Sequence, residues 1–390
     1  VSAAGSFGNM EFNLPEGWNQ LPGNGYLKIL PAGLHPQESY YIELLPPLTG
    51  EQDMKNALQQ TWEQISNREG IKLSPNWRNG PSAIIHTIQG FDCIKDYRDK
   101  NNPHDLNTEI TLFLVKTNTG IERMAIYDQQ FRAAETQGLY MKYSALTSSR
   151  NYYQAYDFIA SLQFKQKAMV KDITAQYKHS KITGVWCGLE GSYQAVTGGY
   201  QLSSGYFILL DNGLAYNFRT PPQQGLYHYH PYTGLLMLPD YWGEYTYNNS
   251  GGQFKNLYYG NIDFSISNDK MKLVKNKTAH TFIKLPDFDN ARFSGTYALK
   301  SGESISFTAD GHFTDNGVLD IINHSTQFKP YHITYAPGGG SYRIVDYSIV
   351  FRYDDGRVFQ TAFCDYSYNP SNPSPPLLHL GWHLDELELK

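Results

Sequence analysis

Cysteine is scarce in this sequence, long apolar runs are lacking, and neither sign of charge is in excess. Each shortfall removes a class of function. The 390 residues carry three cysteines, Cys93, Cys187 and Cys364. None belongs to a C-x-x-C pair, so neither a zinc knuckle nor a thioredoxin-type redox site is indicated. They read as small buried hydrophobes. A Cys187–Cys364 disulfide is compatible with the sequence but not implied by it. No apolar stretch approaches the ~20 residues of a membrane-spanning helix. Lys and Arg number 32 against 37 Asp and Glu, a formal net charge of −5. No global positive field is therefore available to hold nucleic acid or an anionic membrane. There is no G-x-S-x-G elbow, no H-E-x-x-H and no Walker loop, and no G-x-G-x-x-G opens a helix. No cofactor is expected.

What the sequence does contain is ring and turn. Aromatic residues reach 15% while charged residues stay at 18%, and 31 tyrosines dominate the aromatic share. Tyrosine favours strands, and its hydroxyl suits a half-wet surface. With 34 glycines and 20 prolines, the composition describes strands joined by many turns. At roughly 100–200 residues per domain, the length divides into two or three domains, each able to bury its own core. The opening, Val1 to Gly8, is small and without evident structure. It is compatible with a processed secretory or lipoprotein leader, or with a trimmed chain. The expected location is secreted, periplasmic or lipid-anchored at the cell surface, with the cytoplasm left open.

Residues 10–165 alternate strand and helix signals. Phe12-Asn13-Leu14 reads as a strand, Pro15-Glu16-Gly17-Trp18 as a turn, and Tyr26–Leu30 and Tyr40–Leu45 as strands. Thr49-x-x-Gln52 has capping-box spacing. Met54, Leu58, Thr61, Trp62 and Ile65 then recur at helical spacing until Gly70. Ser82–Ile88 is a strand. Ile110, Leu112 and Leu114 lead through Asn118-Thr119-Gly120 into Ile121–Phe131, a hairpin. Tyr152, Ala155, Ile159 and Leu162 form a second helical stripe. This succession of strands and helices predicts an α+β domain, an antiparallel sheet carrying helices. The opening Phe12–Trp18 segment, the closing Ile159-Ala160-Ser161-Leu162-Gln163-Phe164 and the helix through Trp62 between them make this region resemble the PsbP-like fold, named for an extrinsic subunit of the photosynthetic oxygen-evolving complex. The resemblance implies the fold and a binding or assembly role, and transfers no functional residue.

Residues 166–183 form a linker. Lys165, Lys167, Lys171, Lys178 and Lys181 lie in or beside it with one acid, Asp172. A solvated connector accounts for that charge. A phosphate-binding patch is the alternative, without the interleaved aromatics that would stack bases.

From Gly184 onward the pattern is all β, barrel or sandwich, and it repeats over 184–290 and 291–390. Gly184-Val185-Trp186 matches Gly295-Thr296-Tyr297. Tyr206–Leu210 with Asp211-Asn212-Gly213 matches Ser304–Thr308 with Ala309-Asp310-Gly311. Gly243-Glu244-Tyr245 matches Gly340-Ser341-Tyr342, and Asn268-Asp269 pairs with Asp355-Gly356. This G-x-W/Y opening with its hairpin ladder resembles tandem lipocalin-like β domains of bacterial secreted proteins. One sandwich with internal symmetry fits the same pattern.

Three constellations could carry chemistry. Tyr227-His228-Tyr229-His230-Pro231-Tyr232, read as a strand, would set His228 and His230 on one face. Two imidazoles fall short of a zinc ligand set, and no metal is expected. Asp310 with Asp315, or Asp354 with Asp355, could serve as acid and base for glycoside hydrolysis. Asp310, Asp354 and Asp355 adjoin glycine at hairpin tips, where a carboxylate bonds its own backbone. The aromatic segment offers a ligand site through Tyr227, Tyr229, Tyr232, Tyr241 and Trp242, since rings stack on sugars or line apolar pockets. Packing between sheets is the competing role. The expectation is a non-catalytic, exported binding or assembly protein, its partner a small molecule, glycan, lipid or protein. A hydrolase of glycans or lipids and a structural subunit are the alternatives.

Overall fold

The computed structural model describes residues 4–32, 39–50, 53–70, 73–75, 83–88, 91–100, 108–129, 150–165, 181–194, 199–218, 221–222, 225–229, 231–248, 251–256, 260–275, 278–325, 335–364, 377–380 and 385–389. Most of the expected linker and His230 lie outside them. The chain divides into two compact units. One is Val1–Lys171 with His230–Leu238, and the other is Asp172–Tyr229 with Pro239–Lys390.

The first unit is built on an antiparallel sheet. Its strands are β3 (Trp18–Pro22), β4 (Leu27–Pro31), β5 (Ser39–Thr49), β6 (Leu73–Pro75), β7 (Ala83–Ile88), β8 (Phe91–Lys100), β9 (Thr108–Lys116) and β10 (Gly120–Gln129). They run in the order β3-β4-β5-β10-β9-β8-β6, with β7 also paired to β8. β1 (Ala4–Phe7), β2 (Met10–Asn13) and β11 (Gln163–Phe164) form a separate three-stranded sheet. The opening therefore holds a strand where none was expected. Gly5 makes the pairing possible, because a Cβ there would lie 2.4 Å from the Phe12 ring.

Helix α1 (Met54–Glu69) buries Met54, Ala57, Leu58, Thr61, Trp62 and Ile65, the stripe its spacing predicts. Its cap is not the expected box. β5 runs on to Thr49, which pairs with Gly120, so Thr49 is spent on the sheet. Asp53 caps instead, accepting from the backbone N–H groups of Lys55 at 3.1 Å and Asn56 at 3.2 Å. On β5 and β10 the pairs Tyr41–Tyr127, Glu43–Ala125 and Leu45–Arg123 lie side by side. Members of all three pack in the cluster beneath α1. Helix α2 (Arg150–Ser161) covers the other face, where Tyr156 meets Phe113 edge-on at 5.6 Å and Phe158 meets Phe12 at 5.4 Å.

Strand β8 was not legible, because Asp92, Lys95, Asp96, Arg98 and Asp99 interrupt its apolar alternation. The fold gives several of these charges partners. Asp96 accepts from Trp62 Nε1 at 2.8 Å, and the Arg98 guanidinium lies 4.9 Å from the centre of the same indole. Lys95 is buried and donates to the main-chain carbonyls of Leu236 and, at 3.3 Å, Met237. Those carbonyls end α3 (Pro231–Met237), where a cation is favourable. Thr233 of α3 also donates to Asp157 at 2.9 Å. Residues 231–237 are thus a helix of the first unit, although the sequence places them within 184–290 and reads 227–232 as a strand. Tyr227 and His228 form a turn, with His228 at φ 53°. The strand reading of 227–232 therefore fails at its start, while the expected pairing of His228 with His230 lies outside the described residues.

The second unit contains two eight-stranded antiparallel sheets. β12 (Gly184–Gln194), β13 (Gly199–Leu209), β14 (Leu214–Phe218), β15 (Trp242–Asn248), β16 (Gly251–Asn256), β17 (Gly260–Ser267), β18 (Lys270–Lys275) and β19 (Thr278–Lys284) close into a barrel. The second sheet contains β20 (Gly295–Ala298), β21 (Ser304–Phe307), β22 (His312–Asn316), β23 (Gly338–Val345), β24 (Ser348–Tyr353), β25 (Val358–Ala362), β26 (Leu377–Leu380) and β27 (Asp385–Leu389). It runs β25-β24-β23-β22-β21-β20-β27-β26, a nearly closed barrel. The order of elements is the same in both. After the third strand comes a helix, α3 in the first series and α4 (Val318–Ser325) in the second, and then five strands. First and last strands pair in each series, β12 with β19 and β20 with β27.

The matched motifs fall on matching places with one exception. Trp186 and Tyr297 are buried on the first strands, after Gly184 at φ 121° and Gly295 at φ 126°. The Tyr245 N–H donates to Gly213 O at 2.8 Å, and the Tyr342 N–H to Gly311 O at 2.8 Å. A Cβ on Gly243 would lie 2.0 Å from Lys255 O, and one on Gly340 would lie 2.0 Å from Arg352 O. Asn268-Asp269 turns β17 into β18, the sixth strand into the seventh. Asp355-Gly356 turns β24 into β25, the fifth into the sixth, so those two turns do not correspond. The barrel interior is filled by Trp186, Phe207, Tyr245, Phe254, Phe264, Met271 and Phe282 among others. All three cysteines are buried and none forms a disulfide.

Candidate binding sites

The aromatic segment is spread over several settings. Trp242 is fully buried, 5.1 Å from Tyr216 and stacked 5.4 Å from Tyr229. Its Nε1 meets no acceptor among the described residues. Tyr241 stacks on Phe218 at 3.8 Å. Tyr227 is half-buried and held by the second sheet. Arg343 donates to its hydroxyl and lies 4.6 Å over its ring, Gln360 donates to its carbonyl at 2.9 Å, and its N–H donates to Ser348 Oγ at 2.9 Å. Tyr232 belongs to α3 of the first unit, while the other four belong to the second.

The carboxylates occupy turns and caps. Asp355 accepts from the Arg357 N–H at 3.1 Å and its Nε at 2.8 Å. Asp310 is exposed and accepts from Thr308 Oγ1, a bond that holds its pKa below the usual carboxylate range. Asp315 is buried and caps α4, accepting from the Val318 N–H at 2.8 Å and the Tyr353 hydroxyl at 2.9 Å. Burial raises its pKa. These contacts account for Asp310, Asp315 and Asp355 without a facing acid–base pair. The side chains of His324, His332 and His383 lie outside what is described, and His379 is buried.

A different place in the first unit combines space with charge. A cleft of about 220 Å³ opens between α1 and the sheet, lined by Asn24, Gly25, Tyr26, Leu45, Pro46, Gln64, Ile65, Arg68 and Arg123. Gly25, at φ 77°, turns the chain so that Tyr26 enters β4 from the rim. Two guanidinium groups meet there, under opposite conditions.

Arg68, from the last turn of α1, is one-third exposed. Its Nη2 donates to Glu43 Oε2 at 2.6 Å and to the Tyr127 hydroxyl at 2.8 Å, and its Nε donates to Glu69 at 3.0 Å. Burial disfavours its charge, but the Glu43 hydrogen bond together with the charges of its neighbours Tyr127, Glu43 and Glu69 raises its pKa.

Arg123 is 5% exposed, and none of its acceptors is charged. Its Nε donates to Pro46 O at 2.7 Å, and its Nη1 donates to Gln64 Oε1 at 2.6 Å and Thr61 Oγ1 at 3.4 Å. Among the described residues no carboxylate pairs with it. Burial, and next the repulsion of Arg68, lower its pKa to about 10. It therefore stays cationic at neutral pH, at a cost that a buried charge ordinarily offsets with a counter-ion.

Sequence reading missed this site. The signal was there in Ile121-x-Arg123-x-Ala125-x-Tyr127, an alternation that aims an arginine at the core. No family model matches the chain, and a search of curated proteins gave no significant match.

Proposed function

We propose that the chain is an exported, non-catalytic binding or assembly protein, and that the cleft beside α1 is where it holds a small ligand. One observation carries the reading. The cleft joins a concave space to a cation that is 95% buried and, among the described residues, has no carboxylate paired to it, beside the half-buried ring of Tyr26. Concave sites lined mostly by apolar groups, with a few converging polar ones, are what small ligands use. The resemblance of residues 10–165 to the PsbP-like fold, and of residues 184–290 and 291–390 to lipocalin-like domains of secreted proteins, supports a binding role outside the cytoplasm. We read the two eight-stranded sheets as two copies of one unit. Among the described residues no helix is long and apolar enough to cross a membrane.

The test is a thermal-shift screen of glycans, lipids and small organic acids, repeated on Tyr26→Ala. A saturable rise in Tm in the parent, lost in the variant, is the expected result. A rise that survives Tyr26→Ala but vanishes in Tyr229→Ala moves the site to the aromatic segment. Turnover of any bound compound overturns the non-catalytic reading.

A further inference from the structure

We infer that the cleft takes a carboxylate, held between the Arg68 and Arg123 guanidinium groups, with the apolar body of the ligand against Tyr26, Leu45 and Ile65. This rests on the binding role proposed above and adds the chemistry of the ligand. The donors decide it. Arg68 spends Nε and Nη2 on Glu43, Glu69 and Tyr127, and Arg123 spends Nε and Nη1 on Pro46, Thr61 and Gln64. Among the described residues Arg68 Nη1 and Arg123 Nη2 donate to nothing. Both arginines line one cleft, and two such N–H-bearing groups are enough for the two oxygens of one planar carboxylate.

The local charge points the same way. Lys28, Arg68 and Arg123 face this side of the sheet and α1, against the carboxylates of Glu43 and Glu69. Lys28 lies 4.2 Å over the Tyr41 ring. Arg68 and Arg123 repel each other, and Arg123 has lost most of its hydration. An anion between them supplies what the fold leaves out. Glu43 is not that anion for Arg123. It sits opposite Ala125, two pairs along the ladder from Arg123, and its Oε2 is taken by Arg68 and Tyr127. Besides Asn24, Gly25 and Gln64, the remaining walls are Leu45, Pro46, Ile65 and Tyr26, so the body attached to the carboxylate is largely apolar or ring-like.

The probes are benzoate, its neutral isostere benzamide and inorganic phosphate, each titrated into the full-length protein at constant ionic strength. The readout is the backbone ¹H–¹⁵N resonances of Gly25, Tyr26, Gln64 and Arg123. Benzoate should shift them saturably, and benzamide should bind at least tenfold more weakly. Arg123→Met, which fills the same space without charge, should lose the benzoate response while the rest of the spectrum is kept. If that variant does not fold, the three titrations of the parent protein decide alone. Equal binding of benzamide and benzoate overturns the carboxylate but leaves the binding role. Shifts with phosphate and not with benzoate overturn it in favour of a phosphoryl ligand. If none of the probes moves these resonances, the inference is wrong. If the thermal-shift screen also finds no ligand, the proposed function falls with it.

Discussion

Two interiors of this protein solve burial in opposite ways. Inside the barrel β12–β19, rings fill the space. Phe207 meets Phe254 edge-on at 5.4 Å and Phe264 at 5.6 Å, and Trp186 Nε1 donates to Ile182 O at 2.9 Å. Under α1, the sheet of the first unit buries Glu43, Thr61 and Arg123 among its aliphatic side chains. The barrel interior is apolar mass at close packing, stabilised by area removed from water. The sheet–helix seam keeps charges at a cost and leaves a cleft beside them. A lipocalin-like pattern suggests a ligand in the barrel, but the described part of this interior is occupied by the barrel's own side chains. Among the described residues, the cleft and the cation without a paired carboxylate lie in the first unit. One polar lapse in the barrel is Asn217, which is buried opposite Phe207 with neither amide atom bonded among the described residues. It carries no charge and adjoins no described cleft.

The contrast can be broken first in the barrel. Phe207→Ala should cost about 3–5 kcal/mol, because a fully buried ring leaves a cavity its neighbours only partly fill. Denaturant unfolding followed by tryptophan fluorescence measures this. A loss below about 1 kcal/mol would mean the barrel is not close-packed and could admit a ligand.

A smaller effect compares the two barrels with each other. Gly243→Ala and Gly340→Ala each place a methyl 2.0 Å from a carbonyl oxygen of the adjacent strand. Each should destabilise by about 1–3 kcal/mol through forced backbone shifts. If the two losses differ by more than about 2 kcal/mol, the fourth strands are not equivalent and the two-copy reading weakens.

The smallest effect sharpens the other half of the contrast, the charged sheet. Glu122 is buried on β10. Burial raises its pKa, while the 2.8 Å bond from Asn9 Nδ2 to its Oε1 lowers it by less, and its Oε2 meets no partner. A carboxyl whose pKa is raised on folding adds stability below its ordinary pKa, and that stability is lost as pH rises through the folded value. Glu122→Gln should therefore be more stable than the parent at pH 7 by about 1 kcal/mol. The difference should shrink as pH falls below the raised pKa. Thermal unfolding from pH 4 to 8 gives both curves, and a constant difference across that range would remove Glu122 from the account.

Much of the fold was legible where period and chemistry agree. The stripe Met54, Leu58, Thr61, Trp62, Ile65 is α1, and the hairpin through Asn118-Thr119-Gly120 joins β9 to β10. Three of the four matched motifs fall on corresponding strands and turns. Legibility failed where partners distant in sequence decide. β8 reads as too charged for a central strand, because Trp62 and the carbonyl end of α3 lie far from it in the chain. Residues 227–232 read as an aromatic strand. Their turn and helix are fixed by contacts to Ser348 and Gln360 for Tyr227, and to Lys95 and Asp157 for α3.

The sequence alone determined a chain poor in cysteine, rich in tyrosine and turn residues, with an α+β region ahead of a β-rich half. Composition and period suffice for that, because they act within a few residues of one another. Only the tertiary structure decided that Arg123 is buried with no carboxylate paired to it among the described residues, that Arg68 shares its cleft, and that a helix from between two barrel strands belongs with the first sheet. The free energy of a charge depends on the dielectric and the partners around it. Those surroundings are assembled from β5, β10 and α1, which only folding brings together.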